Sequence, residues 1–523
     1  MMSRNLFFLL LFCFSCAFSI AQTDYIVFFN DKGEFNSEDA KNSISERSLL
    51  KRKKKGLALD YHDQRMNQYY IDDLSHYGEI KKKSRWLNAV VLTSDYSMKE
   101  ISKLNFIRRV LAPGENKNHS RGKPLVPQQK NLEYGLAEPF IDQLNIGCMH
   151  DKGFLGEDII IAVLDAGFRG MDTIPAFDSL YQDNRVIDVY DFVDNDQEVY
   201  EKSSHGTRVS SVIAANQEGY IAAAPQASLC LYITEDVSQE VNEEEFDLVL
   251  GLERADSVGA DLVNISLSYF QFDSLQTDYS FDDLDGQTTI SSIGVQIAAD
   301  KGILVVTSAG NSGPSHISTP CDGDSVLCVG ATNPQNELAG FSSLGPTADG
   351  RIKPDIAAMG SSINCIAPDG SIGPCFGTSF SSPLACGMSA LLVQAYPELG
   401  VNDILNGIRM SGHISQMPNN FFGYGIPDAC LADSLLDQIL NNPIPIESNR
   451  SRLDIYPNPA IEDLTIEFED AFDQVEIFSL TGKRVLFLNE VNQKRHSIQV
   501  STLKRGMYII RIDNRLQKKL ILH

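Results

Sequence analysis

Ile159-Ile160-Ile161-Ala162-Val163-Leu164-Asp165-Ala166-Gly167 is the stretch on which the fold turns. It is an uninterrupted apolar run with no polar residue alternating into it. A strand built from it must be buried on both faces, which is the mark of a parallel sheet covered by helices. Asp165 ends the run and Ala166-Gly167 turns the chain sharply, so a carboxylate is expected at the strand's carboxyl end, buried but within reach of the crevice beyond it.

Outward from that strand the same grammar repeats. Apolar runs recur at 229–233, 262–267, 303–307 and 326–331. Helical patterns lie between them, as in Phe246, Val249 and Leu250 and over 290–301. Strands alternating with helices predict an α/β fold, a parallel sheet sandwiched by helices. Such sheets place their sites at the carboxyl ends of the strands, where three further polar residues stand. His205, in Ser204-His205-Gly206-Thr207-Arg208-Val209, precedes the helical face of Val209, Val212 and Ile213. Asn311, in Ser308-Ala309-Gly310-Asn311-Ser312-Gly313, follows a buried run. Ser379 lies in Gly377-Thr378-Ser379-Phe380-Ser381-Ser382-Pro383, with Pro383 expected in the first turn of a helix that follows.

Taken singly, each has a plain reading: a helix cap, a turn former, a loop residue. Together they meet a chemical need. A serine hydroxyl attacks a carbonyl only when a base takes its proton, and the base must be held in one tautomer by a carboxylate. The oxyanion that forms needs donors, which the Asn311 amide and the Ser379 backbone N–H are placed to supply.

Asp165-Ala166-Gly167, His205-Gly206-Thr207, Ala309-Gly310-Asn311 and Gly377-Thr378-Ser379 through Pro383 resemble the four signature motifs of the subtilase family, over about 140–436. The resemblance implies a serine endopeptidase with Asp165, His205 and Ser379 as its triad and Asn311 as its oxyanion donor. Asn264-Ile265-Ser266-Leu267 is similar to the family's substrate strand, which pairs with the substrate backbone. That implies Ser266, Leu267 and Ser268 along a bound peptide and Ala309 and Gly310 as the opposite wall of the primary pocket. The chain departs from the pattern at Ser268 and Tyr269, where the family usually has glycine. Arg208 stands for a common histidine and Ser381 for a common alanine. A catalytically inactive subtilase fold serving as a binding or adhesion module is the alternative, but such proteins typically lack a triad member. A lipase-type enzyme would show GxSxG, which Gly377-Thr378-Ser379-Phe380-Ser381 does not.

The rest of the chain reads as additions. Arg4, an apolar stretch over 6–20 and Ser19-Ile20-Ala21 predict a signal peptide over 1–21. Residues 22–112 resemble a small α+β subtilase pro-region, which implies a chaperone and inhibitor acting on its own enzyme. A junction over 113–139, a catalytic domain over 140–440 and a linker over 441–450 follow. Residues 451–523 read as a β-sandwich of short alternating strands. Tyr456-Pro457-Asn458-Pro459, Leu480-Thr481-Gly482-Lys483 and Gly506-Met507-Tyr508 there resemble the type IX secretion sorting domain. This implies the type IX machinery as a partner and a place in the medium or on the cell surface.

Charge divides sharply along the chain. Residues 22–112 carry +4 and residues 113–447 carry −32, a balance that argues against nucleic acid as a partner; the subtilase resemblance implies protein or peptide substrates. The basic cluster Lys51-Arg52-Lys53-Lys54-Lys55 is expected to be a solvated loop. No cofactor is required. The acidic insertion at 273–285 is a possible calcium site, though it lacks EF-hand spacing. Eight cysteines lie beyond the leader; in an exported protein they suggest disulfides, with Cys321–Cys328 and Cys365–Cys375 as local pairs and no pairing assigned to Cys148, Cys230, Cys386 and Cys430.

Overall fold

The structure is a computed structural model. It describes residues 23–111, 134–273, 278–441, 454–456, 463–479, 484–489, 491–501, 503–504, 506–513 and 516–522. The expected leader, most of the junction, all of the expected 441–450 linker beyond Asn441, and the motifs at 457–459 and 480–483 lie outside the described residues. Contacts divide the chain into two compact units at Asp437 and Gln438. Among the described residues no helix is long and apolar enough to cross a membrane.

The first unit opens with an antiparallel sheet of β1 (Thr23–Phe29), β2 (Glu79–Ser84), β3 (Ala89–Ser94) and β4 (Ile107–Leu111), in the order β2-β3-β1-β4. Alternation along β1 decides what each face covers. Tyr25, Val27 and Phe29 pack with Leu74, Val90 and Leu92 in a core of their own. Ile26 and Phe28 point the other way and join Trp86, Phe246, Val249 and Leu252 of the neighbouring catalytic layer.

The supposed solvated loop is instead helix α1 (Glu46–Lys54), capped by Ser45 Oγ, which accepts from Ser48 N. Its basic residues are split by helical periodicity: Lys51 and Arg52 are buried, whereas Lys53 and Lys54 are exposed. Arg52 pairs with Asp256 at 2.6 Å and with Asp63 at 2.8 Å. Lys51 Nζ donates to Ala260 O at 2.5 Å. The loop reading fails because, besides Asp63, the partners that bury this cluster, Asp256 and Ala260, lie some two hundred residues away in sequence.

The main layer is a seven-stranded sheet of β5 (Ile160–Asp165), β6 (Val186–Asp191), β7 (Ser228–Ile233), β8 (Leu262–Ile265), β9 (Leu304–Ser308), β10 (Val326–Thr332) and β11 (Ile356–Met359). Its order is β11-β10-β9-β8-β5-β7-β6, with every neighbouring pair parallel. All six residues of β5 are buried, as the unbroken apolar run requires. Helices α2 (His205–Ala214), α3 (Asn242–Val258), α4 (Ile290–Asp300) and α5 (Thr378–Ala395) cover the sheet. The hairpin β12 (Ser361–Ile366) and β13 (Ile372–Phe376) leads directly into α5.

Among the described residues two disulfides are formed, Cys321–Cys328 as expected and Cys148–Cys430, which the sequence left unassigned. Cys365 and Cys375 are thiols rather than the expected disulfide. The hairpin register explains why they are not directly opposed: Cys365 faces Gly373 and Cys375 faces Ile363. The second unit has two strand groups, Asp454–Tyr456 with Asp463–Phe472 and Gln493–Gln499, and Arg484–Leu488 with Val475–Ser479, Gly506–Ile512 and Leu516–Leu522. Leu464, Ile466, Phe472, Val475, Ile477 and Ile510 are buried between them.

Candidate active site

The carboxyl ends of β5, β8 and β9 bring the sequence-selected residues to one crevice. Asp165 is the last residue of β5 and is fully buried. The turn after it needs glycine: Gly167 has φ +143°, and a Cβ there would stand 2.6 Å from Ser203 N. His205 is the first residue of α2, and its Nδ1 lies 2.8 Å and 3.0 Å from the two Asp165 oxygens. That contact makes Nδ1 the protonated nitrogen and leaves Nε2 to accept. Burial pulls the imidazole's affinity for protons down, but Asp165 more than offsets it, so His205 titrates above its ordinary value. The Phe380 ring sits 5.6 Å from the imidazole and covers one side of it.

Asn311 is exposed and follows β9 by a short turn. Its Oδ1 accepts from Thr378 N at 2.9 Å and from Thr378 Oγ1 at 3.1 Å. Those two bonds fix the amide orientation, so the Nδ2 protons are the ones presented. Ser379 is the second residue of α5, where helical N–H groups have no intrahelical partner. Ser379 Oγ donates to Ser266 O at 3.2 Å, and among the described residues no hydrogen bond joins it to His205.

Pro383 lies in the second turn of α5, because the helix begins at Thr378; the first-turn expectation is corrected. A proline cannot donate to the carbonyl four residues back, and that carbonyl belongs to Ser379. It accepts instead from Ser266 Oγ at 2.9 Å.

Of the residues expected along a substrate, Ser266 and Leu267 are buried, whereas Ser268 is partly exposed. The Ser266 side chain serves the interior of the site, and Leu267 O accepts from Ser308 Oγ at 3.3 Å. Tyr269, where glycine is common, is wholly buried and bridges to Thr319 through Tyr269 N to Thr319 O at 2.9 Å and Thr319 N to Tyr269 O at 3.1 Å. On the facing wall Ala309 is buried, and Gly310 has φ +101° with a Cβ position only 2.8 Å from Ser318 Oγ. Thr378, Asn264 and Ser382 are contributors that the sequence did not single out; each is an ordinary residue until the fold gives it a partner.

Described carboxylates of the acidic insertion are engaged by the chain itself. Asp273 Oδ2 accepts from Glu240 N at 3.1 Å and Asp278 Oδ1 from Phe272 N at 2.7 Å. Asp285 Oδ1 accepts from Gln287 N and Thr288 N, both at 2.9 Å. The carboxylates thus serve loop N–H groups, and among the described residues no three acidic, histidine or cysteine side chains converge as a metal site.

Comparison with known proteins adds three matches along the chain. The subtilase family model matches residues 156–425. The peptidase S8 propeptide domain of Bacteroidota matches 24–128, and the secretion system C-terminal sorting domain matches 454–523. Subtilisin NAT of Bacillus subtilis subsp. natto is 29% identical over 329 residues, 61% of this chain and 74% of that protein. Subtilisin of Bacillus pumilus is 30% identical over 275 residues, 51% of this chain and 86% of that protein. Among solved structures, MycP1 from Mycobacterium smegmatis is 21% identical, covers 61% of this chain and 89% of its own, and has a TM-score of 0.47.

Proposed function

The chain belongs to the subtilase family and is a serine-type peptidase; from that premise we propose that it is an endopeptidase working through Asp165, His205 and Ser379, with Asn311 as an oxyanion donor. The observation that carries this reading is the Asp165–His205 contact at 2.8 Å and 3.0 Å, at the carboxyl end of β5. With Nδ1 protonated toward Asp165, Nε2 is the basic nitrogen. For the reaction the Ser379 hydroxyl must leave Ser266 O and turn to that nitrogen. Catalytic hydrogen bonds often tighten only when substrate is present.

Ser379 Oγ attacks the peptide carbonyl as Nε2 takes its proton, and the new oxyanion accepts from Asn311 Nδ2 and Ser379 N–H. The tetrahedral species collapses as His205 passes the proton to the leaving amine, which leaves an ester on Ser379. Water, deprotonated by the same imidazole, then releases the acid. Substrate lies along 266–268 with Ala309 and Gly310 opposite. No step calls on a metal or cofactor.

We assign 22–112 as the pro-region that inhibits the enzyme, 140–440 as the catalytic domain and 451–523 as the sorting domain. The C-terminal match marks the protein for export from the cell or to its surface. The test of the nucleophile is Ser379→Ala. Turnover should fall about a millionfold, the scale for loss of this hydroxyl in subtilisin, with the melting temperature little changed. Hydrolysis near the parental rate would show that Ser379 is not the nucleophile, whereas a parent chain that hydrolyses no peptide would return it to the reading of an inactive binding module.

A further inference from the structure

Behind Ser379 the buried polar groups form one directed chain of hydrogen bonds. Ser382 Oγ donates to Asn264 Oδ1 at 2.7 Å, and Asn264 Nδ2 donates to Ser266 Oγ at 3.0 Å. Ser266 Oγ donates in turn to the Ser379 carbonyl at 2.9 Å. Each serine has a single proton to give, so the direction is set from Ser382 through Asn264 and Ser266 to Ser379. The 3.4 Å approach of Ser266 Oγ to Ser382 Oγ adds nothing, since both protons are already donated. Ser379 Oγ closes the circuit on Ser266 O at 3.2 Å.

Asn264 is out of place by packing alone. It sits in β8 between Val263 and Ile265, and both it and Ser382 are fully buried. Burying an amide carries a desolvation penalty that an aliphatic residue would not, and its hydrogen bonds do no more than offset that penalty. The catalytic helix supplies the reason for the arrangement. Pro383 withdraws the N–H that would normally occupy the Ser379 carbonyl, and the Asn264 chain fills that vacancy from the adjoining strand.

We propose that Asn264 is a positioning residue for Ser379. Through Ser266 and Ser382 it clamps the first turns of α5 to the strand beside the substrate. The backbone of Ser379 then stays fixed while its hydroxyl leaves Ser266 O for His205. This rests on Ser379 being the nucleophile.

The experiment uses the full chain, secreted and matured, with Asn264→Ala, Ser382→Ala and Ser266→Ala made singly and Asn264→Ala combined with Ser382→Ala. A peptide substrate gives kcat and KM, and a fluorophosphonate gives the rate at which Ser379 is modified. Asn264→Ala should lower kcat by about 10–10²-fold, the range for ångström-scale misplacement. Phosphonylation should slow by the same factor, with KM within about twofold of the parent. The double variant should be no slower than Asn264→Ala, because the two residues act through one chain. If Asn264→Ala does not fold, Ser266→Ala and Ser382→Ala must show the same loss of kcat without a rise in KM. Parental kcat and phosphonylation rates, a change confined to KM or to the melting temperature, or losses that multiply in the double variant each overturn the proposal. Ser379→Ala separates the two readings. If it still hydrolyses peptide, the nucleophile is wrong; if it is inactive while Asn264→Ala is parental, only the positioning role falls.

Discussion

Arg52 and Asp256, 204 residues apart in sequence, meet at 2.6 Å with their side chains almost wholly out of water. The pair joins the N-terminal segment to α3 of the catalytic layer. Asp63 sits against the same guanidinium and against Lys301 at 3.0 Å. Burial alone would raise the Asp63 carboxyl, but Lys301 and Arg52 hold it below its usual range.

Isolated 22–112, added in trans, is expected to inhibit the mature enzyme. Its +4 charge meets a −32 segment, so association should slow about tenfold or more between low and high salt as the Debye length falls from ~10 Å at 0.1 M to ~3 Å at 1 M. The two halves of the basic cluster should separate. Neutralising exposed Lys53 and Lys54 should blunt the salt slope of association. Arg52→Ala takes the shared guanidinium from Asp256 and Asp63, leaving them to Arg85 at 3.6 Å and Lys301 at 3.0 Å, and should weaken inhibition by up to about 3–5 kcal/mol, mainly through faster dissociation. Stopped-flow inhibition at several salt concentrations reads both. A flat association rate would remove the steering account, and a parental dissociation rate for Arg52→Ala would remove the anchor.

The acid limb of the pH–rate profile should have its midpoint above 6.5, the ordinary histidine value. Asp165 favours the charged imidazole, whereas catalysis needs the neutral one, so activity must rise as pH passes through the raised value. Asp165→Asn should move that midpoint down and lower kcat by about 10⁴-fold. A wild-type midpoint below 6.5 contradicts the assignment of this pair.

Asn311→Ala should reduce turnover by about 10²–10³-fold with KM little changed, because the Ser379 N–H remains as a donor. The Thr378 contacts that orient Asn311 Oδ1 predict that Thr378→Val gives a smaller loss of the same kind. A rise in KM with kcat preserved would make Asn311 a pocket residue instead.

Peptide mapping without reduction should recover Cys148 joined to Cys430 and Cys321 to Cys328, with Cys230, Cys365, Cys375 and Cys386 alkylated as thiols after denaturation. Beside Cys375, the Cys365 thiol and the Arg208 guanidinium hold its sulfur below the usual thiol range, whereas burial pushes Cys365 up. A linked Cys365–Cys375 peptide would overturn the free-thiol assignment.

How far the sequence could be read follows from where each residue finds its partners. Asp165, His205, Asn311 and Ser379 were legible because each interrupts or bounds an apolar run at a strand end or helix start. Five strands of the sheet were legible through the same runs, of which β5 is the plainest, whereas the edge strands β6 and β11 were not. Asn264 was not, since one amide in an apolar strand means nothing until Ser382 is brought 2.7 Å from it across 118 residues. Arg52 and Cys148 were hidden for the same reason, their partners lying 204 and 282 residues away. Cys365 and Cys375 misled in the opposite direction, because short separation suggested a bond that the hairpin register does not align.

The central claim is that Ser379 is the nucleophile of a serine peptidase. Treating the secreted, mature protein with a fluorophosphonate and locating the adduct by peptide mass spectrometry tests it most directly. The account predicts one adduct per chain, on the peptide that carries Ser379, with activity lost in proportion to labelling. Full activity in a fully labelled sample, or inactivation with the adduct on another residue, contradicts it.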